Sequence, residues 1–135
     1  MALPFLDTNV ILRHLLQDHP DHSRRATAYI GRIERGEMRV RIADSVVFEA
    51  VFMLSGLYRR SKMEIRDALL PLIELPHIVL PGKGRFREVF DLYVNLNLSI
   101  VDAYHAVLMK HLGLREVLSF DRGLDRVTGI RRIEP

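Results

Sequence analysis

The chain has 135 residues, 48% apolar and 27% charged, which suits one globular domain with a real core and excludes a disordered tract. Lys and Arg outnumber Asp and Glu by 20 to 17, a surplus that permits a polyanionic partner without requiring one. The absence of cysteine excludes disulfides and thiolate metal sites, and a reducing, cytoplasmic compartment is the simplest expectation.

LPFL at 3–6 is a short apolar run that predicts a buried strand. TNVILRHLL follows with helical spacing, and Thr8 or Asn9 can cap it. Asp7, Asn9 and Arg13 interrupt the apolar start, so no leader peptide or membrane span is expected there. A second helix fits 20–35, with Pro20 at its start and Gly36 at its end. RVRIA at 39–43 alternates as a strand does, and Asp44 is placed to cap the apolar helix SVVFEAVFML. Ser61-Lys62-Met63-Glu64 spells a capping box that opens a helix to about Leu75. HIVL at 77–80 predicts a third strand, ended by Pro81-Gly82. Helices are expected over about 84–96 and from Ser99 to Leu112, the latter stopping at Gly113. EVLSF at 116–120 predicts a fourth strand and RRIE at 131–134 a fifth, at an edge. Strands alternating with helices predict an α/β fold with a parallel sheet covered on both faces. No repeat, low-complexity tract or linker appears, so residues 1–135 read as a single domain.

Four acids stand oddly among apolar neighbours: Asp7 after the first strand, Glu49 within SVVFEAVFML, Asp102 within SIVDAYHAVLM, and Asp121 after VLSF. Glu49 raises the question most sharply, because a carboxylate on a helix apolar nearly all round is costly unless compensated. In a parallel α/β sheet, Asp7 and Asp121 lie at the carboxyl edge of the strands. The helices bearing Glu49 and Asp102 begin at that edge too. Ligand sites of open α/β sheets lie there, where strand order reverses. Gathered carboxylates repel, and a hard cation relieves that repulsion. Oxygen ligands suit Mg²⁺ or Mn²⁺, and such an ion can activate water and stabilise the leaving oxygen of a phosphodiester. Plainer readings stand beside this one. Asp102 completes a capping box with Ser99, Asp121 can cap a short helix, Asp7 can belong to a turn, and Glu49 can lie at a helix edge that reaches solvent.

Other motifs carry less. Gly82-Lys83-Gly84 lacks the frame of a phosphate loop and reads as a turn. His19 and His22 read as a surface helix start rather than a metal site, and His105 as a core or boundary residue. A dehalogenase-like phosphatase needs a second acid where Asn9 stands, and a phospho-receiver needs an acidic pair that LPFLDT does not offer.

With DTN at 7–9, Glu49, VDAYHA at 101–106 and SFDRGLD at 119–125 in this order, the chain resembles the PIN-domain family. It is most similar there to the VapC-type ribonuclease toxins of bacterial toxin–antitoxin pairs. The resemblance implies a three-layer α/β/α fold with a central parallel sheet of strand order 3-2-1-4-5. It also implies Mg²⁺- or Mn²⁺-dependent cleavage of RNA, with Asp7, Glu49, Asp102 and Asp121 as catalytic metal ligands. Ser119 takes the place of the family's supporting hydroxyl residue, and Asn9 that of the polar residue which orients Asp7 or a ligand water. Asp125 is assigned to the surface. Arg13, Arg24, Arg25, Arg59 and Arg60 are candidates for phosphate contacts. A small antitoxin would occupy a groove lined by residues such as Leu12, Leu15, Leu16, Val51, Leu54 and Leu57, and a homodimer is expected. The alternative is a non-catalytic PIN-like module that binds nucleic acid or protein; metal binding separates the two.

Overall fold

A computed structural model describes residues 2–135. The chain divides into two compact units, the first ending at Lys83 and the second beginning at Gly84.

The first unit carries four helices, α1 (Thr8–Leu16), α2 (Pro20–Glu34), α3 (Asp44–Gly56) and α4 (Lys62–Ile73), and two short strands, β1 (Val40–Arg41) and β2 (Ile78–Val79). β1 and β2 are parallel, with Val40 opposite Ile78 and Arg41 opposite Val79. Phe5 adds a parallel bridge to Arg41 on the other side of β1. Here the Leu6 N–H donates to Arg41 O at 2.9 Å and the Arg41 N–H to Pro4 O at 2.8 Å. α1 packs on α2 and α3, and α3 on α4. The core follows helical spacing: Ala26, Ile30 and Ile33 from α2, Val47, Ala50 and Leu54 from α3, and Ile65, Leu69 and Ile73 from α4 are all buried.

The second unit contains α5 (Phe86–Asn95), α6 (Ile100–Leu112), β3 (Glu116–Leu118) and β4 (Arg131–Ile133), with a 3₁₀ turn over Arg122–Arg126. α5 buries Phe86, Val89, Phe90 and Tyr93 at i, i+3, i+4 and i+7, the stripe a packed helix needs. It packs on α6, where the Phe86 and Tyr104 rings lie 5.9 Å apart. α6 stops at Gly113, whose positive φ of 72° lets its N–H donate to the Met109 and Lys110 carbonyls. β3 and β4 pair in parallel, Val117 opposite Arg132.

Several expectations change. The capping box at Ser61 forms as predicted, with both reciprocal hydrogen bonds. The cap of α1 is Asp7, however, not Thr8 or Asn9. The cap of α3 is Ala43, which makes no side-chain capping bond, and Asp44 is the first helical residue. The 3–6 strand is reduced to one bridge, and Phe5 is 58% exposed. The fourth strand ends at Leu118, and Leu118 and Phe120 are 72% and 70% exposed rather than buried. Taking 3–6 as strand 1, the pairings found are 1–2, 2–3 and 4–5. Each of these pairings is one that the predicted order 3-2-1-4-5 contains within a unit. Leu12, Val51 and Leu54 belong to the core and cannot line a partner groove, whereas Leu57 is 68% exposed. Among the described residues no helix is long and apolar enough to cross a membrane.

Ser61→Ala removes one side of the capping box and should lower stability by about 1 kcal/mol. Denaturant unfolding of the two proteins checks it, with unchanged slope and a lower midpoint expected.

Candidate functional site

The second unit brings together two acids that are distant in sequence. Asp102 sits in the first turn of α6, where its N–H donates to Ser99 Oγ at 3.1 Å. Of the capping box expected at Ser99, the bond from the Asp102 N–H to the Ser99 hydroxyl is present. The Asp102 carboxyl lies beside that of Asp121, with Asp102 Oδ2 and Asp121 Oδ1 both near the Cα of Gly123. Asp121 caps the 3₁₀ turn, and its Oδ1 accepts the Gly123 N–H at 2.8 Å. The Ser119 hydroxyl accepts the Asp121 N–H at 2.9 Å. Ser119 is thus placed to fix the backbone from which Asp121 projects.

Asp102 is half-buried, and burial together with the neighbouring Asp121 charge pushes its carboxyl above the usual range. The Gly123 N–H and the neighbouring Asp102 carboxyl hold Asp121 below the usual range, with Arg126 and Arg132 adding to the effect. The two groups therefore titrate as a pair, with Asp102 above Asp121. Arg132 braces the surroundings: its guanidinium donates to Ser119 O at 3.0 Å and to Asp125 Oδ1 at 3.0 Å. Asp125 is accordingly tied up in a surface ion pair. Arg126 donates to Asn97 O at 3.0 Å, which ties the 3₁₀ turn to the loop before α6.

The first unit holds the other two acids. Asp7 is exposed, and its Oδ2 accepts the Asn9 N–H at 3.4 Å. The group of Asn9 that meets Asp7 is its backbone N–H. Asp7 and Asn9 open onto a cleft of ≈ 680 Å³ whose lining includes Arg13, His22, Arg25 and Tyr29. Two of the five candidate arginines therefore reach this cleft. Arg13 pairs there with Asp18 at 2.7 Å, and Arg25 makes an exposed pair with Asp21 at 3.3 Å. Glu49 is exposed on α3, which overturns the premise of a buried carboxylate. The helix is apolar where it meets the core, and Glu49 lies at its solvent edge. His105 is likewise exposed, not a core or boundary residue. His19 caps α2 through its ring nitrogen, which accepts the His22 N–H at 3.0 Å.

Among the described residues no group of three or more His, Asp or Glu side chains is arranged to hold a metal ion. The Asp102–Asp121 pair nonetheless fits a hard cation. Its donors are carboxylate oxygens alone, and Mg²⁺ commonly keeps most of its waters while taking one or two carboxylates. The bare Cα of Gly123 leaves space beside both groups: a Cβ built there would lie 3.2 Å from Asp121 Oδ1 and 3.6 Å from Asp102 Oδ2. Reasoning from sequence missed Gly123, Arg126 and Arg132. The only signal for Gly123 was a glycine two residues after an acid.

A raised carboxyl contributes stability below its ordinary pKa and loses it as pH rises through the folded value. Metal-free Asp102→Asn should therefore melt a few degrees above the wild type at pH 7, with the difference shrinking towards pH 4. Thermal melts in chelator across that range check it.

A family model described as "PIN domain" matches residues 5–130. A VapC ribonuclease of Aquifex aeolicus (strain VF5) is 24% identical over 133 residues, covering 98% of this chain and 97% of its own. PIN domains have a three-layer α/β/α fold, and the α-rich architecture with parallel strands described above accords with it. The chain belongs to the PIN domain family.

Proposed function

We propose that this chain is a ribonuclease dependent on Mg²⁺ or Mn²⁺, the toxin of a toxin–antitoxin pair, acting as one nuclease domain over 1–135. The observation that carries the reading is the Asp102–Asp121 contact. Two carboxyl groups from separate segments are held against each other, and an unrelieved pair of this kind is unfavourable without a cation. The family match and the VapC ribonuclease relative support the same activity.

In this reading Asp102 and Asp121 hold the ion, and Asp7 and Glu49 are the further acids proposed as its ligands in a fold of strand order 3-2-1-4-5. When bound, the cation supplies an activated water and neutralises charge developing on the phosphodiester. The chain's own groups do the rest. Ser119 and Gly123 fix the backbone and one oxygen of Asp121. Asp102 would hold the ion as a carboxylate, the form that its burial beside Asp121 disfavours without one. Asn9 fixes Asp7 through its N–H. Arg25 and Arg13 stand beside Asp7 in the cleft, where a phosphate of the RNA strand would displace weak exposed ion pairs. The partners proposed are RNA, a small antitoxin on apolar surface that includes Leu57, and a second copy of the chain; the compartment is the cytoplasm.

Calorimetric titration with Mn²⁺ tests the reading. Wild type should bind, and Asp102→Asn should lose binding and cut RNA on the order of 100-fold more slowly, with its fold intact. Wild-type cleavage by the Asn variant would reject the assignment. Arg25→Ala should weaken RNA binding and lower the slope of log affinity against log salt by about 1. Filter binding at several salt concentrations measures that slope.

A further inference from the structure

The glycines of the chain divide by what their backbone demands. Gly36, Gly82, Gly113 and Gly129 have positive φ, where a side chain would be strained. Gly123 does not, so its backbone accepts any residue. What sets it apart is the space its missing side chain leaves. A Cβ there would sit 3.2 Å from Asp121 Oδ1, 3.6 Å from Asp102 Oδ2 and 3.7 Å from Leu98 Cδ2. By contrast, a Cβ at Gly56 or Gly84 would meet nothing within 4 Å. The first of these distances is tighter than an ordinary van der Waals contact, and its neighbour cannot give freely. Asp121 Oδ1 is pinned by the Gly123 N–H at 2.8 Å, and the backbone of Asp121 is pinned by Ser119. Leu98 is buried behind.

We propose that Gly123 is a positioning residue of the acid pair: its N–H aims Asp121, and its bare Cα keeps open the shared face of Asp102 Oδ2 and Asp121 Oδ1 through which a hydrated divalent cation enters. This rests on the metal-dependent reading above and adds a specific determinant to it. A methyl group at 123 takes the place of the ion's first waters. It also turns Asp121 Oδ1 away from Asp102, so that one ion no longer reaches both oxygens. The cost falls on a hydrated cation and hardly on the metal-free fold, because neither φ nor core packing requires glycine here.

Mn²⁺ titration by calorimetry on wild type, Gly123→Ala and Gly56→Ala tests it, alongside metal-free melts. Gly123→Ala should bind Mn²⁺ on the order of 10-fold or more weakly, with Gly56→Ala binding as wild type does. The melting temperature of metal-free Gly123→Ala should stay near that of the wild type. Equal affinity in Gly123→Ala and wild type overturns the inference and leaves the acid-pair reading standing. No binding by the wild type overturns both. If Gly123→Ala does not fold, Mn²⁺ broadening of wild-type amide resonances decides. Loss of the Gly123 signal at substoichiometric Mn²⁺ supports the inference, and a Gly123 signal that persists while others vanish overturns it.

Discussion

Two carboxyl groups in the second unit meet at the point where the start of α6, the end of β3 and the 3₁₀ turn come together. Everything local serves to hold that contact against its own repulsion. Ser99 sets the first turn of α6, Ser119 and Gly123 hold Asp121, and Arg126 and Arg132 fasten the turn to its neighbours. The scaffolding is neutral or cationic throughout, and it stabilises the ionised form of Asp121 far better than that of Asp102. The two acids are thus unequal: burial raises Asp102, and the Gly123 N–H lowers Asp121.

Much of this was legible in the sequence, for physical reasons. The capping box at Ser61, the stop at Gly113 and the stripe of α5 depend on local chemistry at fixed spacing, so they read directly. The acids at 7, 102 and 121 stood out because each ends or interrupts an apolar run. Glu49 stood out for a mistaken reason. The apolar residues around it suggested a helix buried all round, but burial depends on which faces tertiary packing covers, and Glu49 lies on an uncovered one. The cap of α1 fell on Asp7 because Asp, Thr and Asn compete at adjacent positions and only the backbone angles choose among them, while α3 is capped at Ala43 with no side-chain bond.

The strands were the least legible part. EVLSF and LPFL have the composition of central parallel strands, and their period says nothing about how far pairing extends. The ladders are short, and the apolar side chains predicted to be buried at Phe5, Leu118 and Phe120 face solvent. Gly123 was invisible for a different reason. A glycine ordinarily signals a turn, and only coordinates reveal that its value lies in an atom it lacks.

The half-buried carboxyl of Asp102 also bears on how this protein would respond to engineering. A group that weakens the resting fold while serving the occupied one is a natural target for any optimisation that scores the metal-free chain alone. Heat selection in chelator or surface-charge redesign would each favour its neutralisation. Under the proposed function, the product would be a sturdier protein with a weakened hold on its ion. Stabilising this fold without losing its chemistry means working in α2, α4 or α5, away from the turn where the two acids meet.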